Sequence, residues 1–579
     1  MKYSLEHLRH SLAHLLGAAV LELYPGSKLA IGPAIDGGFY YDIDAVGKIS
    51  DADLSRIEAE MRKILKTWDK FEGREVDADE ARKFFKGNPY KEELISELEN
   101  KGEKITLYVS GGFTDLCRGG HAARTRNINP EAFKLSHVAG AYWRGDEKNP
   151  QLTRIYGFAF ATKKELDDHI TILEEAKKRD HKKLGAELDL FTFSELVGSG
   201  LPLWTPKGTL LRDILDNFVW ELRKEVGYER VDIPHITKKD LYEKSGHWDK
   251  FKDELFKITT REGHLFAMKP MNCPHHAQIY ARKPHSYREL PQRYASTTKV
   301  YRDEQSGELS GLSRVRSITQ DDAHVFCRIT QVKDEIQKIW DIVRVFYETL
   351  DLKLELHLSL RDPNCPEKYL GNKEHWNKAE RILREVAKEN KTPYIEALGD
   401  AAFYAPKLDF MATDSLGREW QVATIQIDVH MPESFDLSCA NEKSEKERIV
   451  MLHAAIMGSI ERFLSVIIEH FDGAFPVWLS PVQATVLPIT EKQNKWAENV
   501  RDKLKEAGIR TEVDLDNETL GKKIRQAELQ KVPYVLIVGE KEVRAKAVAV
   551  RQRGKGDIGQ TKLDEFVLKI QKEISKKAP

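Results

Sequence analysis

The stretch YRDEQSG at residues 301–307 decides how the centre of this chain folds, together with RVR at 314–316 and QDDAH at 320–324. Arginines lie on either side of a Ser-Gly turn, which predicts a hairpin with guanidinium groups on both strands. Guanidinium forks bind phosphate oxygens bidentately, and Arg302 and Glu304 place a donor and an acceptor on one strand face. The hairpin therefore indicates a nucleotide site.

A second segment, GSIERF at 458–463, predicts a helix that starts after a glycine and carries Arg462. The hairpin and this helix resemble motifs 2 and 3 of the class II aminoacyl-tRNA synthetases, and the neighbouring residues are similar to those of threonyl-tRNA synthetases. The resemblance extends over nearly the whole chain. It begins after the small ubiquitin-like N-terminal domain of that family, which we expect this protein to lack.

Composition restricts the class of protein. At 579 residues the chain is too long for one core, which predicts three or four domains. A hydrophobic content of 41%, a charged content of 32% and a net charge of −1 are typical of a soluble protein and not of a nucleic-acid coat. The sequence has neither an apolar run long enough for a bilayer nor a secretory pattern. Five scattered cysteines favour a reducing cytoplasm over a disulfide framework.

The order of predicted elements changes along the chain, which predicts an α+β multidomain protein. Leucines at helical spacing open the first part, and the charged run 163–183 predicts a connecting helix. Strand-like runs broken by predicted helices at 331–350 and 374–389 indicate an antiparallel sheet with helices outside. Strands and helices then alternate, as in a small α/β domain. With the resemblance, we expect four segments: an N-terminal α+β editing domain at 1–162, a linker helix at 163–184, a class II catalytic domain at 185–475 and an anticodon-binding domain at 476–579.

Three metal-competent side chains lie far apart in the sequence: Cys273 in MNCP, His324 in QDDAH and His453 in MLH. Their spacing alone does not identify a site, but the resemblance implies that they are the family's zinc ligands. One thiolate and two imidazoles suit tetrahedral zinc and leave one position for a substrate. Threonine can offer its amino group and hydroxyl there, whereas valine has no hydroxyl and is rejected.

The resemblance also implies roles for residues around the predicted metal. Arg302 would hold the α-phosphate of ATP, Arg462 would lie on the other side of the nucleotide, and His247 and Gln426 would assist transfer to tRNA. The implied amino-acid pocket consists of Asp322, Tyr404, Gln421, Gln320, Thr424 and Met271. The implied ATP site, where Mg²⁺ enters with the nucleotide, consists of Arg302, Glu304, Arg314, Ile318, Arg462 and Ser459.

A second predicted catalytic centre lies in the N-terminal part. Serine keeps the hydroxyl of threonine, and one missing methyl is worth only about 1–3 kcal/mol, so hydrolytic correction is expected. An HxxxH pair alone also fits surface histidines. Combined with a CxxxH pair, it resembles the editing domain of bacterial threonyl-tRNA synthetases, where a water is positioned without metal. The implied editing residues are His10, His14, Lys91, Asp115, Cys117 and His121.

The last segment, 541–579, holds 11 Lys or Arg against 5 Asp or Glu. This basic excess fits a module that contacts phosphates, and it equally fits a solvated tail helix. By resemblance, Asn517, Glu542 and Arg551 contact the tRNA anticodon.

Several positions depart from the family pattern. Gly120 stands where proline is usual, His275 and Ala405 replace glycines, and Ser317-Ile318 replaces Gly-Phe. These changes concern adenine binding and reaction rates, whereas every implied zinc ligand is present.

The favoured interpretation is a homodimeric threonine–tRNA ligase that acts on L-threonine, ATP and tRNA and hydrolyses mischarged Ser-tRNA. A prolyl or seryl synthetase fits the implied zinc set less well. A non-catalytic RNA-binding regulator would not need Arg302, Glu304 and Arg462. A zinc peptidase would need HExxH, and the HxxxH pair has no such glutamate.

Overall fold

The computed structural model describes residues 4–578, which form two compact units that divide between Glu175 and Ala176. Each unit is described by itself. The catalytic and C-terminal segments expected from the sequence both lie in the second unit. Among the helices described, none combines the length and the apolar character that a bilayer crossing requires.

The first unit is built around the helix predicted from its leucine spacing. Helix α1 begins after Ser4, whose side chain accepts a hydrogen bond from the backbone N–H of His7. It packs on a five-stranded antiparallel sheet of order β1-β3-β8-β7 with β2 beside β3, and a three-stranded sheet β4-β5-β6 completes the unit. The strands are β1 Lys28–Leu29, β2 Ala34–Ile35, β3 Gly38–Asp44, β4 Glu72–Val76, β5 Ile105–Ser110, β6 Phe113–Leu116, β7 Phe133–Tyr142 and β8 Gln151–Ala159. The helices are α1 Leu5–Leu23, α2 Leu54–Leu65, α3 Ala78–Phe84, α4 Pro89–Asn100 and, at the boundary of the two units, α5 Lys163–Lys178.

The single connecting helix expected over 163–183 is two helices in the structure. Helix α5 ends at Lys178, and α6 (His181–Glu187) begins after Asp180, whose side chain accepts from the backbone N–H of Lys182. The φ and ψ of Asp180, −50° and 121°, are not helical. The capping aspartate therefore divides the charged run into two helices, although the charge pattern alone predicts one continuous helix.

The second unit begins with an eight-stranded sheet of order β11-β15-β16-β23-β20-β19-β17-β18. All its pairs are antiparallel except the outermost ones, β11–β15 and β17–β18. This confirms the mainly antiparallel sheet predicted from the strand-like runs. The strands of this part are β9 Phe191–Thr192, β10 Leu203–Trp204, β11 Glu229–Arg230, β12 Ile236–Lys238, β13 Lys257–Thr259, β14 Leu265–Met268, β15 Gln292–Tyr301, β16 Ser317–Cys327, β17 Lys353–Leu360, β18 Tyr394–Leu398, β19 Lys407–Thr413, β20 Glu419–Asp428, β21 Ser438–Ala440, β22 Lys446–Arg448 and β23 Val450–Ser459.

Helices bury the apolar face of this sheet. Phe346 of the helix predicted over 331–350 and Phe463 of the helix predicted after Gly458 belong to one large core with Leu408 of β19. The helices are α7 Pro206–Glu225, α8 Lys239–Lys244, α9 His247–Lys250, α10 Cys273–Ala281, α11 Val332–Glu348, α12 Lys373–Glu389, α13 Met431–Ser434 and α14 Ile460–His470.

The C-terminal part has the predicted alternation of strands and helices. Its sheet has the order β25-β24-β26-β27-β28, in which β24, β25 and β26 are parallel and the rest antiparallel. The edge strand β28 and the helix α17 are additions to the prediction, since GDIGQTK carries no apolar alternation. The elements are β24 Ala484–Pro488, β25 Thr511–Val513, β26 Tyr534–Val538, β27 Ala547–Gln552, β28 Gly556–Lys562, α15 Asn494–Glu506, α16 Leu520–Leu529, α17 Glu540–Ala545 and α18 Leu563–Lys576.

Candidate active sites

Sheet register brings the three predicted zinc ligands together. His324 of β16 and His453 of β23 are directly paired residues on adjacent antiparallel strands. Their facing nitrogens, Nε2 of His324 and Nδ1 of His453, are 3.2 Å apart. Cys273 is the first residue of α10, and the ligand atoms of all three buried side chains lie within 4.8 Å of one another. Tetrahedral zinc ligands at about 2.0–2.3 Å from the metal require a spacing of this order.

The remaining nitrogen of each triad histidine is held by a further buried side chain. Nε2 of His453 donates to Asp428 Oδ2 at 2.8 Å, which leaves Nδ1 free to face the triad. Nδ1 of His324 lies 2.8 Å from Nδ1 of His276, whose Nε2 is 3.1 Å from the hydroxyl of Ser296. Such partners fix the tautomer and the ring orientation of metal-binding histidines. The donor set and its supports therefore fit a zinc ion.

Several predicted substrate residues border this triad. Asp322 Oδ1 is 3.8 Å from Nε2 of His324, and burial raises the pKa of Asp322 to about 6. The Tyr404 ring stacks on His453 with centroids 5.2 Å apart, and its hydroxyl donates to Gln426 Oε1 at 2.9 Å. Nε2 of His247 lies 3.6 Å from the thiol of Cys273. The structure thus gathers candidate binding and transfer groups around one point.

Asp409 organises the remaining predicted pocket residues. Its Oδ1 accepts from Gln421 Nε2 at 2.7 Å and from the hydroxyl of Thr424 at 2.8 Å. Its Oδ2 pairs with Lys407 at 2.8 Å and accepts from Ser359 at 2.7 Å. A carboxylate that is 4% exposed and has four partners fixes the strand faces that carry Gln421 and Thr424.

Three arginines of the predicted nucleotide site lie close together. The guanidinium of Arg302 lies over the ring of Phe251, with its Cζ 5.0 Å from the ring centroid. Its NH2 is 3.4 Å from the sulfur of Met271, and its Nε has no hydrogen-bond partner among the described residues. Arg314 Nε donates to Glu304 Oε2 at 2.8 Å. Desolvation, followed by repulsion from Arg302 and Arg314, lowers the pKa of Arg462. Clustered like charges with an unsatisfied donor are suited to a polyanion such as a triphosphate.

The ends of the motif 2 and motif 3 segments are adjacent in the sheet. Gln320 of β16 pairs with Ser459, which ends β23 and caps α14 by accepting from the backbone N–H of Arg462 at 3.2 Å. Gln320 Oε1 accepts from Asn272 Nδ2 at 3.4 Å. Ile318 is half-buried and paired with Val300 across the hairpin. The hairpin predicted from 301–316 is thus formed, with β15 and β16 as its arms.

The first unit gathers the six predicted editing residues. The thiol of Cys117 lies 3.4 Å from His10 Nε2 and 3.3 Å from His121 Nε2. Lys91 and Asp115 form a buried ion pair at 2.5 Å, and His14 Nε2 is 3.8 Å from the same carboxylate. The hydroxyl of Tyr41, a residue that the sequence did not single out, also donates to Asp115.

Burial keeps the histidines and the cysteine of the editing cluster uncharged. It raises the pKa of the Cys117 thiol to about 12. Burial, together with repulsion from His14 and His10, lowers the pKa of His121 to about 2. At neutral pH the cluster therefore presents a thiol and neutral imidazoles, and the free nitrogen lone pairs of the imidazoles can accept hydrogen bonds from water.

The structure explains one of the atypical positions and describes the surroundings of another. Gly120 has φ +86°, which proline cannot adopt because its ring holds φ near −65°. His275 is buried in α10, and both of its ring nitrogens lack a hydrogen-bond partner among the described residues. Burial lowers the pKa of His275 to about 4, so the ring is neutral at neutral pH.

The three predicted anticodon contacts lie on three different elements. Asn517 is exposed in the turn between β25 and α16, Glu542 lies in α17 and Arg551 in β27. The carboxylate of Glu542 is engaged, since it accepts from the backbone N–H of Gly539 and from Gln560 Nε2, both at 3.0 Å. Arg551 NH2 is 3.9 Å from Glu528, so its guanidinium remains only loosely paired.

Comparison with known proteins matches family profiles to three parts of the chain. A family profile described as "tRNA synthetase class II core domain (G, H, P, S and T)" matches residues 256–471. "Anticodon binding domain" matches 483–573, and "Threonyl and Alanyl tRNA synthetase second additional domain" matches 105–156. A Threonine–tRNA ligase of Porphyromonas gingivalis is 51% identical over 98% of this chain and 87% of that protein.

The chain belongs to the threonine–tRNA ligase family. A relative from Cytophaga hutchinsonii is 49% identical over 98% of this chain and 88% of its own length. The crystal structure of the RNA binding domain of threonyl-tRNA synthetase from Cryptosporidium parvum superposes with a TM-score of 0.65 at 37% identity. That likeness covers 68% of this chain and 98% of the solved chain. The resemblance inferred from the sequence motifs is confirmed.

In this member of the threonine–tRNA ligase family, several residues that complete the sites were not predicted. Asn272 precedes Cys273 in the quoted motif and His276 lies two residues beyond the end of that motif, so their proximity in sequence was an available signal. Asp409 and Asp428 lie in strand-like runs, where single acids carry no motif of their own. Their contacts arise from long-range strand pairing.

Proposed function

We propose that this protein is a threonine–tRNA ligase, which activates L-threonine with ATP and transfers it to tRNA(Thr). The observation that carries the proposal is the buried triad of Cys273, His324 and His453 beside the arginine cluster. A thiol and two oriented imidazoles next to a polyanion site suit an amino-acid pocket joined to a nucleotide pocket.

We propose that the triad holds one zinc ion per chain. Zinc supplies a Lewis-acid position for the amino group and hydroxyl of threonine. Asp322, 3.8 Å from a ligand nitrogen, would accept from the same hydroxyl. Valine leaves that acceptor unpaired, and an unpaired buried polar group is costly, which explains how valine would be rejected.

The arginine cluster would bind ATP and hold its phosphates during attack by the threonine carboxylate. Arg302, with its unpartnered Nε, would hold the α-phosphate, and Arg462 would approach the nucleotide from the opposite side. Mg²⁺ would enter with ATP. His247 and Gln426, which lie by Cys273 and Tyr404, would assist transfer to the terminal ribose of tRNA.

We propose that the first unit hydrolyses mischarged Ser-tRNA(Thr). The neutral imidazoles of His10, His14 and His121 would orient a water, and the Lys91–Asp115 pair would fix the surrounding charges. This role requires no metal, because the neutral nitrogens would orient the water by accepting its hydrogen bonds.

The wider organisation is also proposed from the family. The boundaries at 162, 184 and 475 would separate editing, linker, catalytic and anticodon-binding parts. Asn517, Glu542 and Arg551 would contact the tRNA anticodon, and the active form would be a cytoplasmic homodimer.

Metal analysis of the purified protein tests the proposal. We expect about one zinc per chain and threonine-dependent ATP–pyrophosphate exchange, with both lost in Cys273→Ala because one of three ligands is removed. Cys439 belongs to the same apolar cluster as Cys273, so Cys439→Ala is the matched control and should keep both. Full exchange by zinc-free protein would contradict the zinc assignment.

A further inference from the structure

Another cluster of metal-capable side chains lies in the second unit: Asp180, His181 and Glu469. Both ring nitrogens of His181 are engaged. Nδ1 lies 2.6 Å from Glu469 Oε1, and Nε2 accepts from the backbone N–H of Leu312 at 3.0 Å. A ring with both nitrogens in use has no lone pair for a metal. The cluster therefore calls for another explanation.

The two contacts define the tautomer of His181. Because Nε2 accepts, the proton lies on Nδ1 and is donated to Glu469. The ring is 6% exposed, and Leu312 is fully buried. Gly311 has φ +50° and packs so closely that a Cβ there would lie 2.2 Å from Nε2 of His181. The turn at 310–314 is therefore fixed against this histidine.

The same turn carries groups of the nucleotide site. Directly after Leu312, the carbonyl of Ser313 accepts from Arg462 Nε at 3.2 Å. The next residue, Arg314, donates to Glu304. Ser310 and Arg314 close the turn with backbone hydrogen bonds at 3.1 and 3.3 Å. A shift of Leu312 would therefore displace both arginine contacts.

The other side of His181 is fixed to the helix that carries Arg462. Glu469 lies in the last turn of α14, whose first turn contains Arg462. Glu469 Oε1 also accepts from the backbone N–H of His181 at 3.0 Å, and Glu469 Oε2 pairs with Arg418 at 2.5 Å. The ring thus joins α14 to the turn that holds Arg314.

We propose that His181 is a positioning residue for ATP. It would set the distance between the turn at 310–314 and helix α14, and hence between Arg314 and Arg462. The inference rests on the proposed ligase function, because it assigns the arginine cluster to ATP. It does not involve the amino-acid pocket, so its effect should be confined to the nucleotide.

Two conservative variants separate the two nitrogens. Asparagine places its amide near the position of Nδ1, so His181→Asn keeps the bond to Glu469 and loses the bond to Leu312. Glutamine reaches the position of Nε2, so His181→Gln keeps an acceptor for Leu312, and the backbone N–H of residue 181 keeps its bond to Glu469. We expect His181→Asn to raise the KM for ATP roughly three- to tenfold, the loss of one hydrogen bond, with the KM for threonine unchanged. His181→Gln should remain near the parental KM for ATP.

His470→Gln is the matched control. Nδ1 of His470 accepts from the backbone N–H of Ser415 at 3.1 Å, so this variant also loses a bond to a loop, but not to the nucleotide loop. Its KM for ATP should not change. A parental KM for ATP in folded His181→Asn, or equal rises for ATP and threonine in both His181 variants, would overturn the proposal.

Hydrogen exchange on the parental protein keeps the test independent of variant folding. The amide of Leu312 should be protected in the absence of ATP, and rapid exchange there would also overturn the proposal. Absence of threonine-dependent ATP–pyrophosphate exchange in the parental protein would instead refute the proposed function.

Discussion

Several predicted site residues of this protein are held in place by a further side chain that hydrogen-bonds to them. His453 can face the triad through Nδ1 because Asp428 holds its Nε2. Gln421 and Thr424 share one oxygen of Asp409. The residues predicted from the motifs are therefore positioned by acidic residues that the motifs did not identify.

Ile318 offers a test at the residue scale. The family usually has phenylalanine here, and an isoleucine covers adenine without a π-face. Since aromatic stacking adds about 0.5–1.5 kcal/mol, Ile318→Phe should lower the KM for ATP by up to about tenfold. Ile318→Leu, which adds no ring, should leave that KM unchanged. An unchanged or higher KM in Ile318→Phe would show that another side chain already fills the position.

At the scale of elements, strand pairing is what assembles the catalytic groups. His324 pairs with His453, Gln426 pairs with the same histidine, and Gln320 pairs with Ser459. Two of these three pairings, between β16 and β23, join residues more than 100 positions apart. The helix α10 adds Cys273 at its first residue.

The sequence predicted the elements better than the contacts between them. The hairpin, the antiparallel sheet and the helices at 332–348 and 373–389 are confirmed, because their apolar spacing is local. The break at Asp180 was missed, since a charged run conceals a capping residue. Asp409, Asp428 and His181 were missed for a different reason: their partners are brought to them only by tertiary packing, and no local pattern records that.

The editing cluster of the first unit gives a prediction at the element scale. Cys117→Ala should abolish hydrolysis of Ser-tRNA while threonine activation continues, because His10 and His121 lose the thiol between them. His137→Ala, an exposed histidine of the same unit, is the control and should hydrolyse normally. As the pKa of His121 is about 2, the parental rate should show no decline on going from pH 7.5 to 6. Parental hydrolysis by Cys117→Ala would place editing elsewhere.

Over the whole molecule, separate parts would carry separate steps of one reaction. The arginine cluster and the triad lie around the large sheet of the second unit, whereas the profile matched at 483–573 covers the C-terminal sheet and its helices. Changes in one sheet should therefore affect one kinetic step and spare the other.

Arg551 tests this separation. Arg551→Ala should raise the KM for tRNA in aminoacylation and leave ATP–pyrophosphate exchange unchanged, because its loosely paired guanidinium lies outside the catalytic sheet. Arg501→Ala, on α15 of the same part, serves as the control and should affect neither assay. Equal losses in both assays would indicate a folding defect in place of a lost RNA contact.

The most direct test of the proposed ligase is amino-acid-dependent ATP–pyrophosphate exchange on the parental protein with threonine, serine and valine. We predict strong exchange with threonine, weaker exchange with serine, which keeps the hydroxyl, and none above background with valine. Exchange with valine equal to that with threonine, or with proline in place of threonine, would contradict the account.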